Sequence, residues 1–368
     1  MNVQISRIQI AQCAIPLPRP IKLGPTLITT RDFVAVRAHC SDGSFGDAIG
    51  YPRGSALFDE ARVVAEFYLG SDPFMRRLTW ESVGGRLVNT RAANLRAMSL
   101  FDIAMSDLVA KCLQQPLFRV LGGLRESVPV MAVAGYFLNE RSISDVAGEV
   151  SNLFDDGYPR VKIMLSGSDP DFDFAYAKAI SAIAPGRIAV DAHWSWTSIS
   201  EAYDTCRRLE DLGLVFIEDP FGPSAHFLLH GLAEKLSTPL AAGEDMPGQQ
   251  SLQSIMGVVG RLRIDATTCG GISAAFGAAE TAASLGIAVL PHVFPTLHAQ
   301  LAGALPSVEM VEEIPHNTQA DPLHELLVRD IKVIGGKCLI DQEPGAGMAL
   351  DWEAVSSYSV RAEELEIH

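Results

Sequence analysis

The sequence predicts an α/β protein whose larger part is a closed barrel of eight parallel strands, accompanied by a smaller domain. With 368 residues, 48% of them hydrophobic, the chain is too long for one small domain. From Val128 onward short apolar strands alternate with helical segments, as in parallel βα units. Eight strands can be counted up to Glu312, and five of them lead into an acidic residue or a histidine. Because the carboxyl ends of barrel strands share one rim, these polar residues are expected to face one cavity.

The first 125 residues have a different pattern. Alternating apolar residues and a turn at 41–43 favour antiparallel strands up to about residue 50. A stretch rich in Pro, Gly and Thr at 17–30 is expected to form a long loop. Helical spacing of apolar residues predicts helices at 57–68, 72–81 and 91–112. The N-terminal part is therefore expected to be an α+β unit.

Within the barrel region, helix boundaries are marked by local signals. Asp169 and Pro170 favour the start of a helix over 171–184, which Pro185 and Gly186 end. Ser200 is expected to cap a helix that stops at Gly213, and a further helix is expected over 272–285. The last strand is predicted at 308–312, after which the βα rhythm ends.

Charge and cysteine usage exclude several classes of function. A formal net charge of −15 argues against binding to nucleic acid or to an anionic membrane. No apolar run approaches the roughly 18 residues of a transmembrane helix, and the N-terminus lacks the pattern of a signal peptide. The six cysteines are scattered without a C-x-x-C pair, which is typical of reduced thiols. We therefore expect a soluble, cytoplasmic protein whose partners are cations and small molecules.

Three of the strand-end residues are carboxylates. Asp191, Glu218 and Glu244 would reach the same rim, and several ionised acids without a countercharge cost several kcal/mol each. All-oxygen ligation suits Mg²⁺, with Mn²⁺ as a substitute. The alternative is that these acids cap nearby helices or face solvent.

Two further strand-end residues can form a catalytic pair. Asp265 and His292 follow consecutive strands, and an aspartate bonded to one ring nitrogen leaves the other free to act as a base. Lys162 and Met164 are two residues apart on one strand, so both are expected to point into the barrel. Lys162 could neutralise a substrate carboxylate or pair with a rim acid, and Met164 could line the pocket or pack in the core.

These segments together resemble the enolase superfamily, in its mandelate racemase/muconate lactonizing enzyme family and the sugar-acid-dehydratase-type branch. The resemblance rests on the order and spacing of short motifs, namely Lys162-Ile163-Met164, Val190-Asp191-Ala192-His193, Ile217-Glu218-Asp219-Pro220, Gly243-Glu244-Asp245, Asp265 with Cys269-Gly270-Gly271, Pro291-His292 and Glu312. It implies an α+β capping domain (1–125, joined by a tail at about 320–368) over a modified (β/α)₇β TIM-type barrel (126–319). It also implies one Mg²⁺ per subunit and a homo-oligomer, from dimer to octamer.

The resemblance further implies a reaction that begins with removal of the proton next to a carboxylate, giving an enediolate that the metal stabilises. It assigns His292 as the base, Asp265 as the residue that orients it, and Glu312 as a hydrogen-bond donor to the enolate oxygen. Lys162 is similar to the first lysine of the family's K-x-K pair. Met164 stands where many relatives have the second lysine, which makes two-base racemisation unexpected.

The hypothesis from the sequence is a Mg²⁺-dependent hydro-lyase that converts a sugar acid to a 2-keto-3-deoxy acid. His193 would act as the acid for the leaving hydroxyl, or would only bind substrate. The capping segments 21–32 and 49–55 are expected to close over the substrate. Contacts to it are expected from four side chains, Met164, Tyr51, Arg53 and Trp194. A racemase, epimerase or cycloisomerase is the alternative enzyme, and a metal-binding relative without turnover is the alternative outside catalysis.

Overall fold

The computed structural model describes residues 3–23 and 26–367. Its strands are β1 (Ile5–Leu23), β2 (Thr26–Cys40), β3 (Phe45–Gly50), β4 (Ser127–Ala134), β5 (Arg160–Met164), β6 (Ile188–Asp191), β7 (Ile217–Glu218), β8 (Leu240–Ala242), β9 (Arg261–Ile264), β10 (Ala288–Pro291), β11 (Val311–Glu313), β12 (Lys332–Ile334), β13 (Lys337–Leu339) and β14 (Ser359–Glu366).

The α-helices of the described residues are α1 (Leu57–Tyr68), α2 (Arg76–Arg86), α3 (Arg91–Cys112), α4 (Leu117–Val120), α5 (Ile143–Asp155), α6 (Pro170–Ser181), α7 (Ile199–Leu209), α8 (Leu228–Ala233), α9 (Gly248–Ile255), α10 (Gly271–Ser284), α11 (Pro295–Ala302) and α12 (Trp352–Tyr358). None of these helices has both the length and the apolar composition needed to cross a bilayer. The helix α6 begins as predicted, with Asp169 as its cap. The predicted cap of α7 at Ser200 is wrong, because the Ser198 hydroxyl accepts from the Glu201 backbone N–H.

The first sheet is antiparallel, in the order β14-β1-β2-β3, and α1 and α3 pack against it. The prediction of a long loop at 17–30 is wrong, since β1 and β2 form one long hairpin through most of it. The ladder pairs Pro16 with Thr30 and then Ile21 with Ile28. Pro18 and Pro20 fall in the break between those pairs, where their missing N–H groups forfeit no ladder bond.

The second sheet is the barrel, and it confirms the predicted fold class. Parallel strands run in the order β10-β9-β8-β7-β6-β5-β4, and β11 pairs with β4 on the other side. The seam between β10 and β11 carries no regular ladder and is bridged by Val289 with Val308. The eighth strand therefore begins later than predicted, at Val311.

The interior of the barrel is built in layers, because alternate residues of each strand point inward. The lower layer is apolar and buried, and consists of Met131, Ala189, Phe216, Ala241, Leu290 and Met310. Two residues further along four of these strands stand Asp191, Glu218, His292 and Glu312, all of them buried. The period of two thus places an apolar floor beneath a polar layer at the carboxyl ends of the strands.

The C-terminal segment contacts both sheets. Strand β14 pairs with β1, whereas β13 pairs with the barrel strand β4. Asp107 of α3 fixes the segment between them, since its carboxylate accepts from the backbone N–H of Ala346 at 2.6 Å and of Asp47 at 3.0 Å. The carboxylate of Asp47 in turn accepts from the Leu350 N–H at 3.2 Å.

We expect Asp107→Ala to lower the free energy of unfolding by about 2–5 kcal/mol, because two buried N–H groups lose their acceptor. Chemical denaturation monitored by circular dichroism measures this change. Glu81→Ala, which removes an exposed ion pair with Arg77, should leave the stability unchanged. Equal stability of both variants would contradict the anchoring role of Asp107.

Candidate active site

A cavity of about 540 Å³ lies where the barrel strands end and the N-terminal sheet covers them. Its wall combines residues of both parts: Arg31 and Tyr51 come from β2 and the segment after β3, and Lys162, Asp191 and His292 come from the barrel. The volume falls in the range of small-molecule sites. Glu218 and Asp265 lie just behind the wall and are 0% and 1% exposed.

Lys162 is the centre of a carboxylate cluster. Its Nζ lies 2.7 Å from Glu218, 2.8 Å from Glu312 and 3.1 Å from Asp191. Burial alone would lower the pKa of Lys162, but these carboxylates outweigh it and raise the pKa well above its usual range. Lys162 is therefore a permanent cation within the cluster.

Arg263 is a second buried cation, which the sequence reading missed. It is 0% exposed, and its guanidinium lies 3.1 Å from Glu218, 2.8 Å from Glu312 and 3.5 Å from Glu244. A signal was available in the sequence, because Arg263 precedes Asp265 by two residues on β9 and so shares its inward face.

The donor set fits a divalent cation in its chemistry and its charge. Four carboxylates (Asp191, Glu218, Glu244 and Glu312) surround Lys162 and Arg263, so the acids outnumber the buried cations among them. Oε2 of Glu218 is buried without a hydrogen-bond partner among the described residues. In the described ranges, no three His, Cys, Asp or Glu side chains already surround a common metal position. Lys162 and Arg263 reach between the carboxylates and keep them apart.

His292 and Asp265 form the predicted pair. Nδ1 of His292 lies 3.0 Å from Oδ2 of Asp265, whose Oδ1 accepts from the backbone N–H and hydroxyl of Thr267, both at 2.7 Å. Burial raises the pKa of Asp265 to about 7, although the Thr267 hydrogen bonds oppose it. Burial, followed by the charges of Arg53, Arg263 and Lys162, holds the pKa of His292 well below its usual range. The imidazole is therefore neutral.

Arg53 contacts the free nitrogen of this imidazole. Its Nη2 donates to Nε2 of His292 at 2.8 Å and lies 3.3 Å from Glu244, while its Nη1 donates to Asp245 at 2.6 Å. Arg96 of α3 also donates to Asp245. The carboxylate of Asp245, at the end of β8, thus holds two arginines of the N-terminal part over the barrel.

His193 and Trp194 follow Asp191 in left-handed backbone conformations, with φ of 47° and 57°. Such conformations are uncommon for non-glycine residues and cluster at functional sites. Nδ1 of His193 lies 3.0 Å from Oδ1 of Asp191, which also accepts from the His193 backbone N–H at 2.9 Å. The indole N–H of Trp194 donates to Asp219 at 3.0 Å. Both side chains line the cavity.

Tyr51 and Met164, which were also predicted from the sequence to contact the substrate, differ in their position relative to the cavity. Tyr51 lines the cavity and donates its hydroxyl hydrogen to Asp321 at 2.5 Å. Met164 is 5% exposed and packs with Val133 and Tyr136, which do line the cavity, while Met164 itself is not part of the wall within the described residues. Its placement corresponds to the core-packing alternative.

Glu312 is held between the two buried cations. Burial would raise the pKa of this carboxyl, but Arg263 and Lys162 outweigh it and lower the pKa. The backbone N–H of Val293 also donates to it at 3.3 Å. An ionised carboxylate accepts hydrogen bonds but cannot donate one. The donor role expected for Glu312 would therefore require it to take up a proton first.

Comparison with known proteins places the chain in a family. The sequence profile of the enolase C-terminal domain-like family matches residues 145–355. The chain is 24% identical to an arabinonate dehydratase of Saccharolobus solfataricus, over 87% of this chain and 88% of that protein. It is 26% identical to a D-galactarolactone cycloisomerase of Agrobacterium fabrum, over 93% and 95% of the two chains.

The fold agrees with this match over its full length. The crystal structure of L-talarate dehydratase from Polaromonas sp. JS666, complexed with Mg and L-glucarate, superposes with a TM-score of 0.88, at 25% identity and with 100% of both chains covered. The matched profile spans more than half of the chain, including every strand-end residue of the site from Lys162 to Glu312. The chain therefore belongs to the enolase C-terminal domain-like family, and its resemblance to the sugar-acid-dehydratase-type branch of the enolase superfamily is confirmed.

Proposed function

We propose that this protein is a carbon–oxygen lyase, a Mg²⁺-dependent dehydratase that removes water from a sugar acid to give a 2-keto-3-deoxy acid. The observation that carries the proposal is the 3.0 Å contact between Nδ1 of His292 and Asp265, made on the wall of a cavity rich in carboxylates. Support also comes from relatives named as dehydratases of arabinonate, of L-talarate and galactarate, and of D-xylonate.

Asp191, Glu218 and Glu244 would hold the Mg²⁺. When bound, the metal would neutralise the carboxylate of the substrate and so make its neighbouring C–H more acidic. One solved relative carries both Mg and a sugar diacid, L-glucarate, which supports this choice of metal and substrate class. Lys162 would add a fixed positive charge beside the same substrate group.

Removal of the proton at C2 is assigned to His292. The bond from Nδ1–H to Asp265 fixes the tautomer in which Nε2 has a free lone pair, and Arg53 donating to Nε2 at 2.8 Å is compatible only with that form. Substrate entering the cavity would take the place of Arg53 at Nε2. The electron pair of the C2–H bond then moves toward the carboxylate, and His292 becomes an imidazolium.

Loss of the 3-hydroxyl completes the reaction. His193 lines the cavity beside Asp191 and would give a proton to the leaving oxygen, so that water departs and an enol remains. Alternatively, the imidazolium of His292 returns its proton to that oxygen in a syn elimination. The enol then tautomerises to the 2-keto-3-deoxy acid.

A screen of sugar acids with Mg²⁺, detecting 2-keto acid, tests the proposal. We expect turnover of at least one acid and none after treatment with a chelator.

The cycloisomerase relative favours a second candidate, an isomerase working through the same base. Incubation in D₂O separates the two, because deuterium at C2 of an isomerised substrate without keto acid would overturn dehydration. A protein that binds Mg²⁺ but converts no acid would instead be a relative that has lost turnover.

For Asp265→Asn we expect kcat to fall about 100- to 10,000-fold, because an amide can hold the imidazole in the wrong tautomer. Steady-state kinetics on the substrate found in the screen measures the loss, and ¹⁵N NMR of the His292 ring reports the tautomer. Thr267→Val, which removes the hydroxyl bond to Asp265 but keeps the carboxylate, should cost far less. Equal losses in the two variants would contradict the orienting role.

A further inference from the structure

We propose that the substrate is a dicarboxylic sugar acid whose second carboxylate binds Arg31. This inference rests on the proposed function and narrows its substrate class. Arg31 lies on β2 and lines the same cavity as Lys162 and His292. Its Nε donates to the backbone carbonyl of Ala320 at 2.9 Å, which fixes the guanidinium at the cavity wall.

Among the described residues, Arg31 differs from the other cations of this wall in having no anionic partner. Arg53 and Arg96 are paired with Asp245, and Lys162 is paired with three carboxylates. Within the described ranges, the two terminal nitrogens of Arg31 make no hydrogen bond or ion pair. A planar guanidinium with two free nitrogens is suited to bidentate binding of a carboxylate.

A hydrogen-bond acceptor on the cavity wall follows Arg31 in the chain. Asp32 also lines the cavity, and its Oδ1 is buried without a hydrogen-bond partner among the described residues. Thr26 and Thr30 of the same strand contribute further polar groups to the wall. A carboxylate flanked by a hydroxyl group, as at the far end of a sugar diacid, would supply both the anion for Arg31 and a donor for Asp32.

The ring of Tyr51 sets an upper limit on the separation of Arg31 and Arg53. The guanidinium carbons of Arg31 and Arg53 lie 5.7 Å and 5.9 Å from the ring centroid of Tyr51, so their separation cannot exceed the sum of those values. Arg53 in turn contacts His292 and Glu244, where the reacting end would bind. A six-carbon chain spans about 6 Å between its terminal carbons, since each bond of about 1.5 Å advances it by roughly 1.25 Å. A chain of this length is shorter than that limit.

The test compares sugar diacids with the corresponding monoacids of five and six carbons. We expect kcat/KM to be highest for a diacid. Arg31→Gln should raise KM for that diacid about 10- to 100-fold, with little change in kcat, and should leave KM for monoacids unchanged. Arg31→Lys should recover part of the loss. Lys332→Gln removes an exposed positive charge on β12, outside the cavity wall, and should match the wild type.

Binding gives a readout that does not depend on turnover. Calorimetric titration of His292→Asn with diacid and Mg²⁺ should show affinity that Arg31→Gln weakens by the same factor, with both variants melting near the wild-type temperature. A monoacid used as well as any diacid, or a diacid KM unaffected by Arg31→Gln, would overturn the inference and leave the proposed dehydration intact. If the proposed function itself were wrong, neither the diacids nor the monoacids would give keto acid.

Discussion

Replacing His292 with asparagine is expected to lower kcat by at least about 1,000-fold, the largest effect of any single change in the site. The neutral imidazole of His292 has an unprotonated nitrogen, Nε2, and lies on the cavity wall. Asp265 orients the ring through a contact of 3.0 Å between its Oδ2 and Nδ1 of His292. General-base catalysis contributes about 10²–10⁴ to a rate, and removal of a catalytic histidine can cost more where it serves as both base and acid. The measurement is keto-acid formation by the purified variant, together with exchange of the C2 hydrogen in D₂O.

The control for this variant is His230→Asn, which removes an exposed imidazole on α8. It should retain the wild-type rate. Asparagine at 292 can still accept from Arg53 and donate to Asp265, so both variants are expected to fold and to bind Mg²⁺. If His292→Asn kept its rate within a few-fold while its C2 exchange also continued, the base would have to be another residue.

Much of this site follows from the period of two along the strands. Asp191, Glu218, Asp265 and His292 can be placed together from the sequence, because a parallel barrel brings the carboxyl ends of all strands to one rim. The structure puts these side chains around one cavity or just behind it. The fold class was predictable for the same reason, since alternating strands and helices have few other ways to bury both faces of a sheet.

The residues that the sequence reading missed are mostly arginines. Arg31, Arg96 and Arg263 are far apart in the chain, and an arginine is ordinarily exposed, so apart from the spacing of Arg263 from Asp265 nothing local marks them as buried. Arg263 acquires its role from three carboxylates on other strands. Arg31 acquires its position from a hairpin that composition favours as a loop, because its prolines and threonines are also typical of loops. The positions of these arginines therefore depend on long-range contacts, which local sequence patterns do not predict.

The second large effect is expected on Mg²⁺ affinity when one of the three proposed metal ligands is replaced. Changing Asp191 to Asn, or Glu218 or Glu244 to Gln, is expected to weaken Mg²⁺ binding by more than about 100-fold, because each removes an oxygen donor from a cluster in which carboxylates outnumber the buried cations. Loss of groups behind a metal's own ligands costs about 10- to 100-fold, so loss of a ligand should cost at least as much. Isothermal titration of metal-free protein with Mg²⁺ measures the affinity, and turnover should fall in parallel.

Thermal unfolding separates loss of binding from loss of structure. Mg²⁺ at 100 times its Kd should add about 2.7 kcal/mol to the stability of the wild type, and nothing to Asp191→Asn at the same concentration. Without Mg²⁺ the variant is not expected to exceed the wild type in stability, since Lys162 lies 3.1 Å from Asp191 and loses one of its carboxylate partners. Glu313→Gln is the matched control, because its carboxylate accepts from the Tyr158 hydroxyl and lies outside the cavity wall. If Mg²⁺ affinity were unchanged in all three ligand variants, these carboxylates would not be the metal ligands. The proposed position of the substrate would then be wrong as well.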